Sequence, residues 1–155
     1  MSTYRERFPS AFESAAKARR AVGVFAGSCG FGASEISDIV LAIGEACNNA
    51  VEHGHVENGE FIVDCLFEDG ALHMEIVDTG HGFDETATFA GPDPSECIGR
   101  GRGFTIMRAL MDSVACRRTA SGMTVVLEKS LLAGGVAKAI GELGGFDAGS
   151  RGQPR

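Results

Sequence analysis

Apolar residues recur along this chain with two different periods, and the switches between them mark out the elements. Tyr4 to Phe8 alternates apolar with charged residues and stops at Pro9, which reads as a short edge strand. From Ser10 or Ala11 to about Ser28, Phe12, Ala15, Ala18, Val22 and Phe25 fall at helical spacing, leaving Lys17, Arg19 and Arg20 outside. Gly23 and Gly27 are poor helix formers within that stretch. Gly30-Phe31-Gly32 breaks the chain. A second helix follows, with Ser34 placed to cap it, Glu35 and Asp38 placed to complement its dipole, and Gly54 placed to end it. Ile36, Ile39, Val40, Ile43, Ala46, Cys47 and Ala50 form its apolar stripe, while Glu45 and Asn49 stand one turn apart on the polar side, with Glu52 and His53 beyond.

The period then drops to two. Glu60 to Glu68 and Ala71 to Asp78 are alternating runs joined at Asp69-Gly70, a strong hairpin signal. Phe61, Val63, Cys65 and Phe67 share a face, as do Leu72, Met74 and Ile76, and Asp78 continues that inward face. A carboxylate there is costly unless something bonds it. Asp78-Thr79-Gly80-His81-Gly82-Phe83 leaves the strand, and Asp84 to Ile98, with Gly91, Pro92 and Pro94, reads as a mobile surface loop. Gly99-Arg100-Gly101-Arg102-Gly103 runs directly into a helical pattern carried by Phe104, Met107, Leu110 and Met111. Strands at about Ser113 to Arg118 and Met123 to Lys129 meet at a turn around Ser121-Gly122. Residues 4–130 form one domain on this pattern. After Ser130 glycine pairs surround a short helical stretch at Val136 to Leu143, so 131–155 reads as a glycine-rich, partly disordered tail.

Composition narrows the class. With 155 residues, 44% hydrophobic and 23% charged, the chain suits one soluble globular domain. A net charge of -7 argues against direct nucleic-acid binding, and no run approaches a membrane span, so a cytoplasmic protein is expected. The five cysteines are scattered and never form CxxC, which suggests free thiols and neither a disulfide framework nor a zinc site.

The chemistry lies in three stretches taken in order. Glu45 and Asn49 alone fit a solvated helix face as well as a site. Asp78 at a strand end offers an acceptor to an exocyclic amino group, which selects adenine over guanine, and Gly80 and Gly82 let backbone approach the base and ribose. Gly99, Gly101 and Gly103 open a helix and offer backbone N–H groups to phosphates. A metal would bridge those phosphates to Asn49, leaving Glu45 facing the attacking nucleophile. No GxxxxGK[ST] run is present, which excludes a P-loop. For Arg100 and Arg102 a phosphate contact and a solvent-facing role both stay open. Cys47 on the buried stripe reads as a core residue.

The ordered set, Glu45 to Gly54, Asp78 to Phe83 and Gly101 to Met107, resembles the Bergerat-type (GHKL) ATPases, and within them the anti-sigma-factor serine/threonine kinases. Ala109-Leu110-Met111-Asp112-Ser113-Val114 is similar to that family's helix-to-strand passage. The resemblance implies an α+β fold, a two-layer α/β sandwich with a mixed, mainly antiparallel sheet and helices on one face, binding ATP and Mg2+. By position it implies Glu45 as general base, Asn49 as magnesium ligand, Asp78 as adenine acceptor, and Thr124 as a hydroxyl supporting the adenine contact through water. Gly80, Gly82, Gly101 and Gly103 match its nucleotide loops, beside Gly99, Arg100, Arg102 and Phe104. The implied activity is phosphorylation of an anti-anti-sigma (STAS-type) protein together with sequestration of a sigma factor, by a homodimer for which Tyr4 to Phe8 is a candidate pairing edge. A nucleotide-dependent binding module without catalysis and a switch kinase within a larger partner-switching complex stand as alternatives.

Overall fold

The computed structural model describes residues 1–53, 59–78, 101–119 and 122–131. In chain order these form β1 (Ser2–Pro9), α1 (Phe12–Ser28), α2 (Ala33–His53), β2 (Glu60–Glu68), β3 (Ala71–Asp78), α3 (Arg102–Leu110), β4 (Ser113–Thr119) and β5 (Gly122–Ser130). The strands make one sheet in the order β1-β2-β3-β5-β4, and each pairing among them is antiparallel. All three helices bury apolar residues in a common core with one sheet face, giving two layers.

The hairpin between β2 and β3 forms as its sequence demands. Asp69 and Gly70 both take positive φ, 52° and 78°, so Glu68 pairs with Ala71 across a two-residue turn. Left-handed backbone disfavours any side chain with a Cβ. Gly70→Ala should therefore cost about 1 kcal/mol, read as a lowered midpoint in urea unfolding. Beyond the turn, Val63 and Cys65 on β2 and Leu72, Met74 and Ile76 on β3 are buried, and Asp78 ends that inward row.

β1 is an edge strand, longer than the stretch expected. It carries exposed Arg5 and Arg7 bound to Asp64 and Glu60 of β2 at 2.5 and 3.0 Å. On its inner face Phe8 stacks on Phe61 at 5.4 Å between ring centroids. The helices refine the sequence pattern at their ends. Phe12 is 62% exposed and Ser14 is buried in its place, because α1 turns its first residue away from the sheet. Gly23 is where the two long helices touch: a Cβ there would lie 2.9 Å from Val40 Cγ2. Ser34 lies inside α2 and does not cap it. Instead Glu35 accepts from the Gly32 N–H at 2.8 Å, and the Gly32 carbonyl takes the first helical bond from Ile36 N–H. Gly54, the loop 84–98 and the stretch 136–143 lie outside the described residues.

Of the cysteines, Cys29, Cys47 and Cys65 are free, whereas Cys116 is disulfide-bonded, against the expectation of free thiols throughout. Burial pushes the Cys47 and Cys65 thiols up to about 12, which leaves them protonated and unreactive. A thiol reagent at pH 8 should thus label the half-buried Cys29 before either of them, and both should react only on unfolding. No helix among the described residues is long and apolar enough to cross a membrane.

Candidate nucleotide site

Helix α2 holds its polar residues still by burying the ones beside them. Ala42, Ile43, Ala46 and Cys47 are fully buried, so the backbone of this stretch is clamped to the core while Glu45 and Asn49 stand half-exposed at its rim. They face the start of α3. A Cβ built on Gly103 would lie 3.0 Å from Glu45 Oε2 and 3.7 and 3.8 Å from Asn49 Nδ2 and Oδ1. Glycine at 103 is therefore what lets the N-terminus of α3 approach the carboxylate and carboxamide of α2.

Gly101 occupies the N-cap position of α3 with φ 83°, in the left-handed region that favours glycine. No side chain caps this helix, and its first turn carries no acidic residue. Its leading N–H groups and positive dipole end are left to an anion. Arg102 projects exposed from this turn, while Phe104 turns inward and is buried. The sequence pattern starts the helix at Phe104, whereas α3 already includes Arg102.

Between α2, α3 and the sheet lies a pocket lined by Ala46, Asn49, Ala50, Ile76, Asp78, Phe104, Met123 and Val125. Its walls are apolar and its two polar groups stand apart: Asn49 on α2 and Asp78 at the end of β3, where that carboxylate is 9% exposed. This is the usual make-up of a small-molecule site, an apolar slot with few oriented polar groups. Asn49 Nδ2 is buried and has no hydrogen-bond partner among the described residues. A half-turn of the amide exchanges its oxygen and nitrogen, so the same position offers an acceptor or a donor to a ligand.

These residues fit a magnesium ion brought in with phosphates. Mg2+ takes one or two protein oxygen ligands and fills the rest of its octahedron with water and phosphate oxygens. Asn49 supplies a neutral oxygen beside the α3 N-terminus.

One expectation fails on sheet geometry. Thr124 is opposite Val77 in the β3–β5 ladder, whereas Val125 is opposite Ile76. Residues directly opposite share a face, so Thr124 points to the side of the sheet away from Asp78 and the pocket. Its hydroxyl cannot support a base held at Asp78. The residue on the pocket side is Met123, which the register places opposite Asp78 one step beyond the Val77–Thr124 pair. Met123, Ala46, Ala50, Ile76 and Val125 were not singled out from sequence as site residues. The signal that reaches Met123 is the period of two shared with Val125 and Leu127, once β5 is paired with β3. Gly80, Gly82, Gly99 and Arg100 lie outside the described residues.

Gly103→Ala separates the two roles of this glycine. Alanine favours the helix, so the melting temperature should not fall. The new methyl would displace the Glu45 carboxylate by a few tenths of an ångström, and any reaction that depends on its position should slow about tenfold, measured as turnover on the purified variant.

The sequence model of the histidine kinase-like ATPase domain matches residues 8–129. The chain is 28% identical over 128 residues to an anti-sigma F factor of Clostridium acetobutylicum, covering 79% of this chain and 90% of that protein. It is 37% identical over 112 residues to the serine-protein kinase RsbW of Bacillus subtilis, covering 66% of this chain and 69% of that protein. A solved structure described as the RsbU and RsbW domains of a Mycobacterium tuberculosis protein superposes with a TM-score of 0.63 at 22% identity, over 84% of this chain and 33% of that one, and shows the same fold.

Proposed function

The chain belongs to the histidine kinase-like ATPase domain family, and from that premise we propose that it is an ATP-dependent protein serine/threonine kinase and anti-sigma factor. It sequesters a sigma factor and phosphorylates the STAS-type anti-anti-sigma protein that opposes it, and it works as a homodimer. Relatives named anti-sigma F factor and serine-protein kinase support both halves of this role. The observation that carries the catalytic half is Glu45, held 3.0 Å from where a Cβ on Gly103 would lie, at the mouth of the phosphate-accepting helix end. A module that only bound nucleotide would need Asp78 and Asn49 but no carboxylate there.

Each residue then has a task. The base lies in the apolar slot between Ala46, Ala50, Ile76 and Val125, and its exocyclic amine donates to Asp78. The phosphates meet the leading N–H groups of α3, which Gly101 and Gly103 leave uncovered, and Gly80, Gly82, Gly99 and Arg100 contact the same nucleotide. Arg102, exposed in the first turn, adds positive charge at the same end. Asn49 would hold Mg2+, which when bound neutralises charge on the β- and γ-phosphates. Glu45 takes the proton of the attacking serine or threonine hydroxyl as its oxygen bonds the γ-phosphorus; the bond to the bridging oxygen breaks and ADP departs.

Incubating the purified protein with γ-labelled ATP, Mg2+ and the cognate antagonist should place label on a serine or threonine of that antagonist. A stoichiometric complex formed without any transfer would instead assign the chain to the regulatory binding modules.

A further inference from the structure

We propose that Met123 is the residue that sets the size of base this pocket accepts, by filling the space beside the Asp78 carboxylate. The inference rests on the nucleotide reading above and concerns only the end of the slot where the base is recognised. Register puts Met123 opposite Asp78, the step after the pairing of Val77 with Thr124, and both residues line the same pocket. Side chains directly opposite in an antiparallel pair have Cβ atoms about 4.5–5.5 Å apart. The methionine therefore lies within van der Waals reach of anything the carboxylate holds.

Its chemistry fixes what it can do there. A thioether donates no hydrogen bond and accepts only weakly, so it cannot read the ring nitrogen next to the exocyclic amine. What it offers is volume and a soft apolar surface, packed against the core through a half-buried side chain. The opposing wall, Ala46 and Ala50, is made of small side chains on a clamped helix. The pocket is thus narrowed on one side by a flexible chain and floored on the other by rigid backbone. An amine bearing one hydrogen for Asp78 and a bulky group on its second position would run into Met123. The accepted class is a purine nucleotide with an unsubstituted amine, and the steric limit is set on β5 and not on α2.

The test compares binding of ATP and N6-benzyl-ATP by titration calorimetry for the wild-type chain, Met123→Ala, Met123→Leu and Thr124→Ala. Wild type and Met123→Leu should prefer ATP by at least about tenfold, whereas Met123→Ala should bring the two ligands within about threefold. Thr124→Ala should keep the wild-type preference, since that side chain is on the other face. Thermal melts of all four establish that they fold. A Met123→Ala protein that binds ATP yet still rejects the benzyl analogue overturns this inference alone, as does relaxation by Thr124→Ala. A folded wild-type chain that binds neither ligand in the presence of Mg2+ overturns the nucleotide reading and this one with it.

Discussion

Glu45→Gln should lower phosphoryl transfer by about 10²- to 10⁴-fold while leaving ATP affinity within about threefold, because the amide keeps the shape of the carboxylate and loses only its capacity to take a proton. The two readouts separate because Glu45 does not line the pocket that holds Asp78 and Asn49; it stands at the neighbouring mouth, against Gly103. A drop in turnover matched by an equal drop in affinity would mean that Glu45 binds phosphate or metal and is not the base. Unchanged transfer would remove it from the mechanism. Single-turnover labelling at saturating ATP, with calorimetry alongside, measures both.

The second large effect is expected inside the pocket, at the Asp78 end. Asp78→Ala should weaken ATP binding about 10- to 150-fold, the range for losing a hydrogen bond to a charged acceptor and leaving a buried amine unpaired. Asp78→Asn should fall between, since its amide oxygen still accepts, though as a neutral group. The order wild type, Asn, Ala in affinity is the signature of direct base recognition. Because Asp78 is almost buried, each variant's melting temperature must accompany the titration. Equal affinity in all three would mean that the base lies elsewhere.

Much of the scaffold was legible because the inward positions of β2 and β3 are apolar at every second residue and charged residues interrupt the other face. On β2 and β3 alternation fixes both the elements and the side on which Asp78 falls, and Asp69-Gly70 fixes their register. On β5 the same logic gives way. Met123, Val125, Val126 and Leu127 are apolar on both sides of the strand, so the sequence alone leaves the phase undetermined, and Thr124 was assigned to the pocket from resemblance. Only the pairing with β3 shows that Thr124 shares the Val77 face of the sheet, where it is buried away from the pocket. The start of α2 was misplaced for a different reason. Serine is the commoner cap, yet here Glu35 reaches back to the Gly32 N–H, and a long side chain acting three residues upstream leaves little trace in periodicity.

The site residues divide in the same way. Glu45, Asn49 and Asp78 were visible because polar groups on otherwise buried elements stand out against the pattern. The apolar lining was hidden because Ala46, Ala50, Ile76 and Val125 look like any other core positions. What makes them a binding surface is the cleft beside them, and that depends on how three elements meet.

Lys129 ties this arrangement together from the C-terminal end of α3. Its ammonium donates to the Leu110 carbonyl at 2.6 Å and lies 3.5 Å from the Asp38 carboxylate, so one cation pins the end of α3 and the first turns of α2 to the sheet. At the other end of α3 Phe104 is buried in the core and Gly103 meets α2. A helix of nine residues is about 13 Å long, so this anchor at Leu110 stands one helix length from the glycines. A tilt of about 5° moves the glycine end by about 1 Å, the scale of displacement that costs a transfer reaction about a hundredfold. The placement of Gly103 against Glu45 is thereby linked to a contact at the far end of the helix.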